Sequence, residues 1–215
     1  MTKPWKPILV AVTLYWAWKK RRRKRMELIR EISDSFALDL RPCDVNEAGA
    51  RLECEPGVYA WYFDKPPGTV PVRDCISVGI WKLLYVGIAT KDMRGRILNQ
   101  HFHGNASCST LRLSLGCLLN ETLAISLVRR GSSSRLIFGE QGEARLSKWM
   151  SEHARVAWQS DRREFRKKAF LKRLERFLVE ERYSLPLNID HNRKHPFCSK
   201  LKEIRKKCKR GARRG

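Results

Sequence analysis

The sequence predicts a small α/β domain, built on a central, mainly antiparallel β-sheet of three or more strands flanked by helices and carried between basic ends. Three observations predict it. Two aromatic and β-branched runs, GVYAWYF (57–63) and KLLYVGIA (82–89), are joined by the Pro/Gly-rich stretch DKPPGTVPVRDC, which suits an antiparallel pair. Downstream, apolar residues recur at helical spacing. Charge is segregated: residues 34–160 hold 15 Lys/Arg against 13 Asp/Glu, whereas residues 1–33 hold 10 against 2 and residues 161–215 hold 20 against 7. A chain of 215 residues buries one ordinary core, and a net charge of +23 placed at its ends suits a polyanionic partner, since cations that neutralise phosphates gain from counterion release.

Taken in order, the chain opens with ILVAVTLYWAW (8–18) followed at once by KKRRRKR (19–25). The apolar run is shorter than the roughly 20 residues a membrane span needs, and the basic block follows rather than precedes it, unlike a secretory signal. No stable membrane insertion is expected. The segment is compatible with an interfacial lipid contact or with a docking helix followed by a nucleic-acid-binding arm. MELIREISDSFAL reads as a short amphipathic helix and RPCDVNEAGARLECEPG as a loop. After the two strands, a helix is expected from about Met93 to Phe102, and another in STLRLSLGCLLNETL behind a Ser-Thr cap. AISLVRR and RLIFG flank GSSS as a hairpin, EQGEARLSKWMSEH reads as a helix, and RVAWQS as a short strand. A long basic helix over about 162–182 carries the stripe Phe170, Leu171, Leu174, Phe177 and Leu178, and Pro186 in SLPLNIDHN prevents its continuation. The divisions are a terminal extension at 1–33, a domain at 34–192 with an insertion at about 108–150, and a basic tail at 193–215.

Seven cysteines with no C-x-x-C pair argue for a reducing intracellular setting, cytoplasmic or nuclear/nucleoid, and against a disulfide framework. His191, His195 and Cys198 offer three zinc ligands without a fourth, so an incidental polar loop is the better reading. Tyr59 beside Gly57 and Tyr85 beside Gly87 could share one sheet face, with the glycines leaving room for a bulky ligand.

In series, Gly57-Val58-Tyr59, Tyr85-Val86-Gly87, Met93-x-x-Arg96-Ile97, Glu175-x-x-Leu178-Val179 and Pro186-x-Asn188 resemble the GIY-YIG nuclease family over about residues 56–192. The resemblance implies an endonuclease that hydrolyses phosphodiester bonds, with DNA favoured over RNA as partner and Mg2+ or Mn2+ as cofactor. It implies Tyr59 as general base, Tyr85 as its support, Arg96 as the cation on the phosphoryl oxygens, Glu175 as the metal carboxylate and Asn188 as the polar residue closing the site. Two features depart from the family pattern. The tyrosines are 26 residues apart, and Gln100 stands where a His or Tyr is usual, with His101 one residue later. On an α-helix Arg94 and His101 share a face and Arg96 does not, which leaves Arg94 or Arg96 as the arginine and gives His101 an open role. Within the insertion, Ser109, Thr110 and Arg112 at a helix start are expected as a secondary phosphate contact, with an ordinary cap as the alternative. A non-catalytic nucleic-acid-binding protein of the same fold is the second functional reading, and a membrane-surface protein the third. The oligomeric state is not legible.

Overall fold

A computed structural model describes residues 6–39 and 41–212, which divide after Asp39 into two units. The first unit is one helix, α1 (Lys6–Asp39). The apolar run, the basic block and the segment expected as a separate short helix are continuous, because no Pro or Gly interrupts residues 8–39.

The second unit opens with α2 (Val45–Arg51), where a loop was expected. Its signal is Asp44-Val45-Asn46-Glu47: Asp44 is the N-cap and accepts from the Glu47 N–H at 2.9 Å, and Arg51 pairs with Glu47 one turn on. Strands β1 (Gly57–Phe63), β2 (Ser77–Val78), β3 (Trp81–Ala89) and β6 (Ala154–Gln159) form an antiparallel sheet in the order β2-β3-β1-β6, in line with the expected fold class. Between β3 and β6 lie a π-helix (Gly95–Phe102), α3 (Thr110–Leu118), the hairpin β4 (Val128–Arg129) and β5 (Leu136–Ile137), and α4 (Gly139–His153). The basic helix expected over 162–182 is divided into a 3-10 turn (Arg163–Arg166), α5 (Lys168–Phe177) and a π-turn (Leu178–Arg182).

Residues 193–215 are more than a tail. From Phe197 to Gly211 they form α6, which packs on α3 and buries Phe197, Cys198 and Leu201. The main core gathers Tyr59, Trp61 and Phe63 of β1 with Ile97 of the π-helix, Leu111 and Leu115 of α3, and Leu146 and Met150 of α4. Strand β3 is longer than β2, so its outer edge beyond Lys82 needs other partners. The loop after the π-turn supplies them: Leu187 N–H donates to the Leu84 carbonyl at 3.1 Å, and the Asn188 side chain pairs with both backbone groups of Val86.

Candidate active site

Sheet register brings the site together. Tyr59 lies opposite Gly87 and Trp61 opposite Tyr85, so the two phenols sit diagonally on one face with ring centroids 6.5 Å apart. Just beyond, Tyr62 pairs with Leu83, which leaves Leu84 as an extra residue of β3 and bends the strand beside Tyr85. Gly87 makes room, as expected, but for a different occupant. A Cβ on Gly87 would collide with the Tyr59 hydroxyl and ring, so the glycine admits the phenol of its cross-strand neighbour rather than a ligand.

The π-helix resolves the mismatch between Arg96 and His101. With i→i+5 bonding, closed by His103 N–H to the Leu98 carbonyl at 2.7 Å, residues five apart stack on one side. The Arg96 Nε–H donates to the Tyr59 hydroxyl at 3.1 Å, and His101 Nε2 lies 2.6 Å from the same oxygen. An α-helix would have placed Arg94 there. Instead Arg94 donates to the Gly49 and Leu52 carbonyls at the end of α2, away from the tyrosines.

A chain of hydrogen bonds continues inward. His101 Nδ1 is 2.7 Å from Ser109 Oγ, which also accepts from the Arg112 N–H as the N-cap of α3. Burial, with Arg96 and Arg112 nearby, holds the His101 imidazole well below its ordinary pKa and therefore neutral. Both imidazole nitrogens are thereby engaged, and either neutral tautomer satisfies the two contacts. Burial likewise raises the Tyr59 pKa, and the neighbouring Tyr85 adds to it while Arg96 opposes both. Tyr59 has no exposed surface, and Arg96 bonds its hydroxyl while also reaching Gln100 Oε1 and the Cys108 carbonyl. Tyr85, 3.4 Å from Thr110 Oγ1, is 7% exposed.

Glu175, on α5, is partly buried; its backbone carbonyl accepts from the Leu178 N–H, while its carboxylate takes part in no hydrogen bond or ion pair among the described residues. Its pKa is pushed up to about 7 by burial and by Asp190, with Arg96 and Lys172 pulling the other way. An unpartnered carboxylate short of positive charge fits a hard divalent cation. No group of three or more His, Cys, Asp or Glu able to hold a metal occurs among the described residues. Asn188 differs from expectation. Its amide is buried, with Oδ1 accepting from the Val86 N–H at 3.0 Å and Nδ2 donating to the Val86 carbonyl at 2.8 Å, so it fixes the edge of β3. Arg112 differs more. It is fully buried, bonds Glu143 at 2.7 and 3.1 Å, and donates to the His101 carbonyl at 3.2 Å, so its donors are spent inside the fold. Ser109 and Thr110 serve His101 and Tyr85. The His191, His195 and Cys198 group assembles no metal site: His195 is engaged with Ser184 Oγ and the Phe197 N–H, each at 3.1 Å.

One residue escaped the sequence reading. Arg205 of α6 is partly buried, with its guanidinium pKa lowered by burial and Asp190 acting in the opposite direction. The spacing Lys202, Arg205, Lys206, Lys209, Arg210 was the available signal, since it is one helical face.

A family model for the GIY-YIG catalytic domain matches residues 57–207. The chain belongs to the GIY-YIG family. Membership implies nuclease-type chemistry and a nucleic-acid substrate, and the match reaches into α6, past the 192 boundary expected from sequence. No curated protein and no solved structure matches the chain. Among the described residues, no helix is long and apolar enough to cross a membrane.

Proposed function

We propose that this GIY-YIG protein is a metal-dependent endonuclease that hydrolyses phosphodiester bonds, acting on DNA in preference to RNA. The observation that carries the reading is the convergence of Arg96 and His101 on one phenol oxygen, which the π-helix makes possible. Tyr59 is the general base. Its O–H donates to a neutral imidazole, so it can take a proton from the attacking water as its own passes to His101 Nε2. In this reading Ser109 Oγ accepts from His101 Nδ1–H, the tautomer that leaves Nε2 to accept from Tyr59.

Arg96 covers Tyr59 through its bond to the phenol oxygen. An incoming phosphate offers the guanidinium two charged oxygens in place of a neutral phenol, an exchange that uncovers the base and sets Arg96 on the developing charge. Tyr85, tethered by Thr110, orients the phosphate from the exposed side. A divalent cation at Glu175 would neutralise phosphoryl charge and stabilise the leaving oxygen. Lys202 borders both the cavity at Glu175 and the one lined by Arg205, Lys206, Lys209 and Arg210, so α6 can hold the backbone flanking the scissile bond.

The test is incubation of the full chain with supercoiled and branched DNA and with RNA, with Mg2+, Mn2+ or chelator. Cation-dependent cleavage of DNA that Tyr59→Phe and Glu175→Ala abolish is the expected result. Cleavage unchanged in those variants would defeat the assignment, and salt-sensitive binding without cleavage would leave a nucleic-acid-binding protein.

A further inference from the structure

Helix α1 carries a sequence of surfaces along its axis that the nuclease reading does not use. Leu14, Tyr15, Trp16 and Trp18 are 64, 55, 60 and 56% exposed, a concentration of bare large side chains that soluble surfaces avoid. At about 100° per residue they spread over more than half the circumference, which rules out the narrow seam of a coiled coil. The seven cations that follow at 19–25 are all exposed. Trp16 and Trp18 lie beneath Lys19 Nζ and Arg22 at 5.1 and 5.6 Å, so cations and aromatic rings occupy one band of the helix.

We propose that α1 is a reversible one-leaflet anchor for an anionic lipid bilayer, entered with the helix axis steep to the surface. From residue 8 on, the order along the helix matches the order of depth in a leaflet, and Lys3 and Lys6 ahead of it are charges that the hydrocarbon disfavours, which keeps the anchor reversible. The apolar run of residues 8–18 is about 16 Å long at 1.5 Å per residue, half of the roughly 30 Å hydrocarbon core. Tyr15, Trp16 and Trp18 fall at the acyl–headgroup boundary, where amphipathic rings collect, and the cations at 19–25 fall among anionic headgroups. Apolar insertion and a polybasic block together supply the two signals that stable anchoring needs. A nucleic acid would use the cations but has no use for an aliphatic run that is apolar on every side.

The full chain is floated with phosphatidylcholine vesicles and with vesicles containing phosphatidylserine. Flotation should be more than tenfold stronger with phosphatidylserine, and both W16S/W18S and K19Q/K20Q/R21Q/R22Q/R23Q should reduce it at least tenfold. Brominated acyl chains should quench tryptophan emission of the wild-type chain more than that of W16S/W18S, a difference that isolates two of the seven tryptophans. Absence of flotation overturns the proposal, as does flotation that W16S/W18S leaves intact. It is also overturned if W16S/W18S weakens single-stranded DNA binding and leaves vesicle binding unchanged, since the rings would then stack on bases.

Discussion

Replacing Glu175 with Gln should stabilise the metal-free protein at neutral and alkaline pH while abolishing cleavage. The folded carboxyl titrates at about 7 against an ordinary value of 4.5, because burial and Asp190 disfavour its charge. Below about pH 4.5 Glu175 is protonated in both folded and unfolded chains, and it costs nothing. As pH rises the unfolded chain ionises first, so the folded state loses stability across the window from 4.5 to 7 and recovers none above it. At about 1.4 kcal/mol per pKa unit the ceiling is roughly 3 kcal/mol, and solvent access at a partly buried site lowers it to about 1–3 kcal/mol. For a domain of this size that is roughly 3–10 °C in melting temperature. The assay is thermal or urea unfolding of wild type and Glu175→Gln in chelator at a series of pH values from 5 to 8.5. The gap between them should open as pH rises. Magnesium should close it at pH 8 by stabilising the wild type alone, by about 2.7 kcal/mol at a hundredfold excess over Kd. A gap that is constant with pH, or a Glu175→Gln variant less stable than wild type at pH 8, would refute the idea that Glu175 is a strained, cation-seeking carboxylate.

Other consequences concern the supports of the site. Tyr59→Phe should lower the cleavage rate by roughly 10²–10⁴ with the DNA dissociation constant unchanged, the signature of a lost proton acceptor in single-turnover kinetics. Gly87→Ala forces a Cβ against the Tyr59 ring, so it should impair cleavage comparably although no reacting group is altered; an active, normally folded variant by circular dichroism would contradict the packing reason for this glycine. Asn188→Ala strips both partners from Val86 and should cost about 2–4 kcal/mol in urea unfolding, with the loss confined to stability if saturating metal and substrate restore the rate. Arg112→Met removes the guanidinium from the Glu143 carboxylate, at a cost of about 3–5 kcal/mol, and a second change, Glu143→Leu, should add to the loss, because Glu143 also accepts from the Ala106 and Phe138 N–H groups; DNA affinity should not follow either change.

The parts of this fold that were legible in the sequence are those set by local chemistry. The antiparallel strands are marked by β-branched and aromatic residues bounded by Pro and Gly, and the ordered motif series is that of the family whose model matches. Helix α2 was also written there, in an Asp-x-x-Glu cap, but a seven-residue helix is too short to show a periodic stripe. The helix carrying Arg96 is legible only in part, for a deeper reason: side-chain pattern gives a helix and leaves Arg94 or Arg96 open, because it does not say whether the helix closes at i+4 or i+5. That one-residue wider closure decides which arginine meets Tyr59, and it brings His101 to the same phenol oxygen. Arg112 shows the opposite limit. An arginine in a helix's first turn looks ready for phosphate by every local rule, and only its long-range partner Glu143, 31 residues away, consumes it. Positions whose role depends on a partner distant in sequence are therefore the ones for which local chemistry misleads, and in this site they are also the residues that hold the reactive group in place.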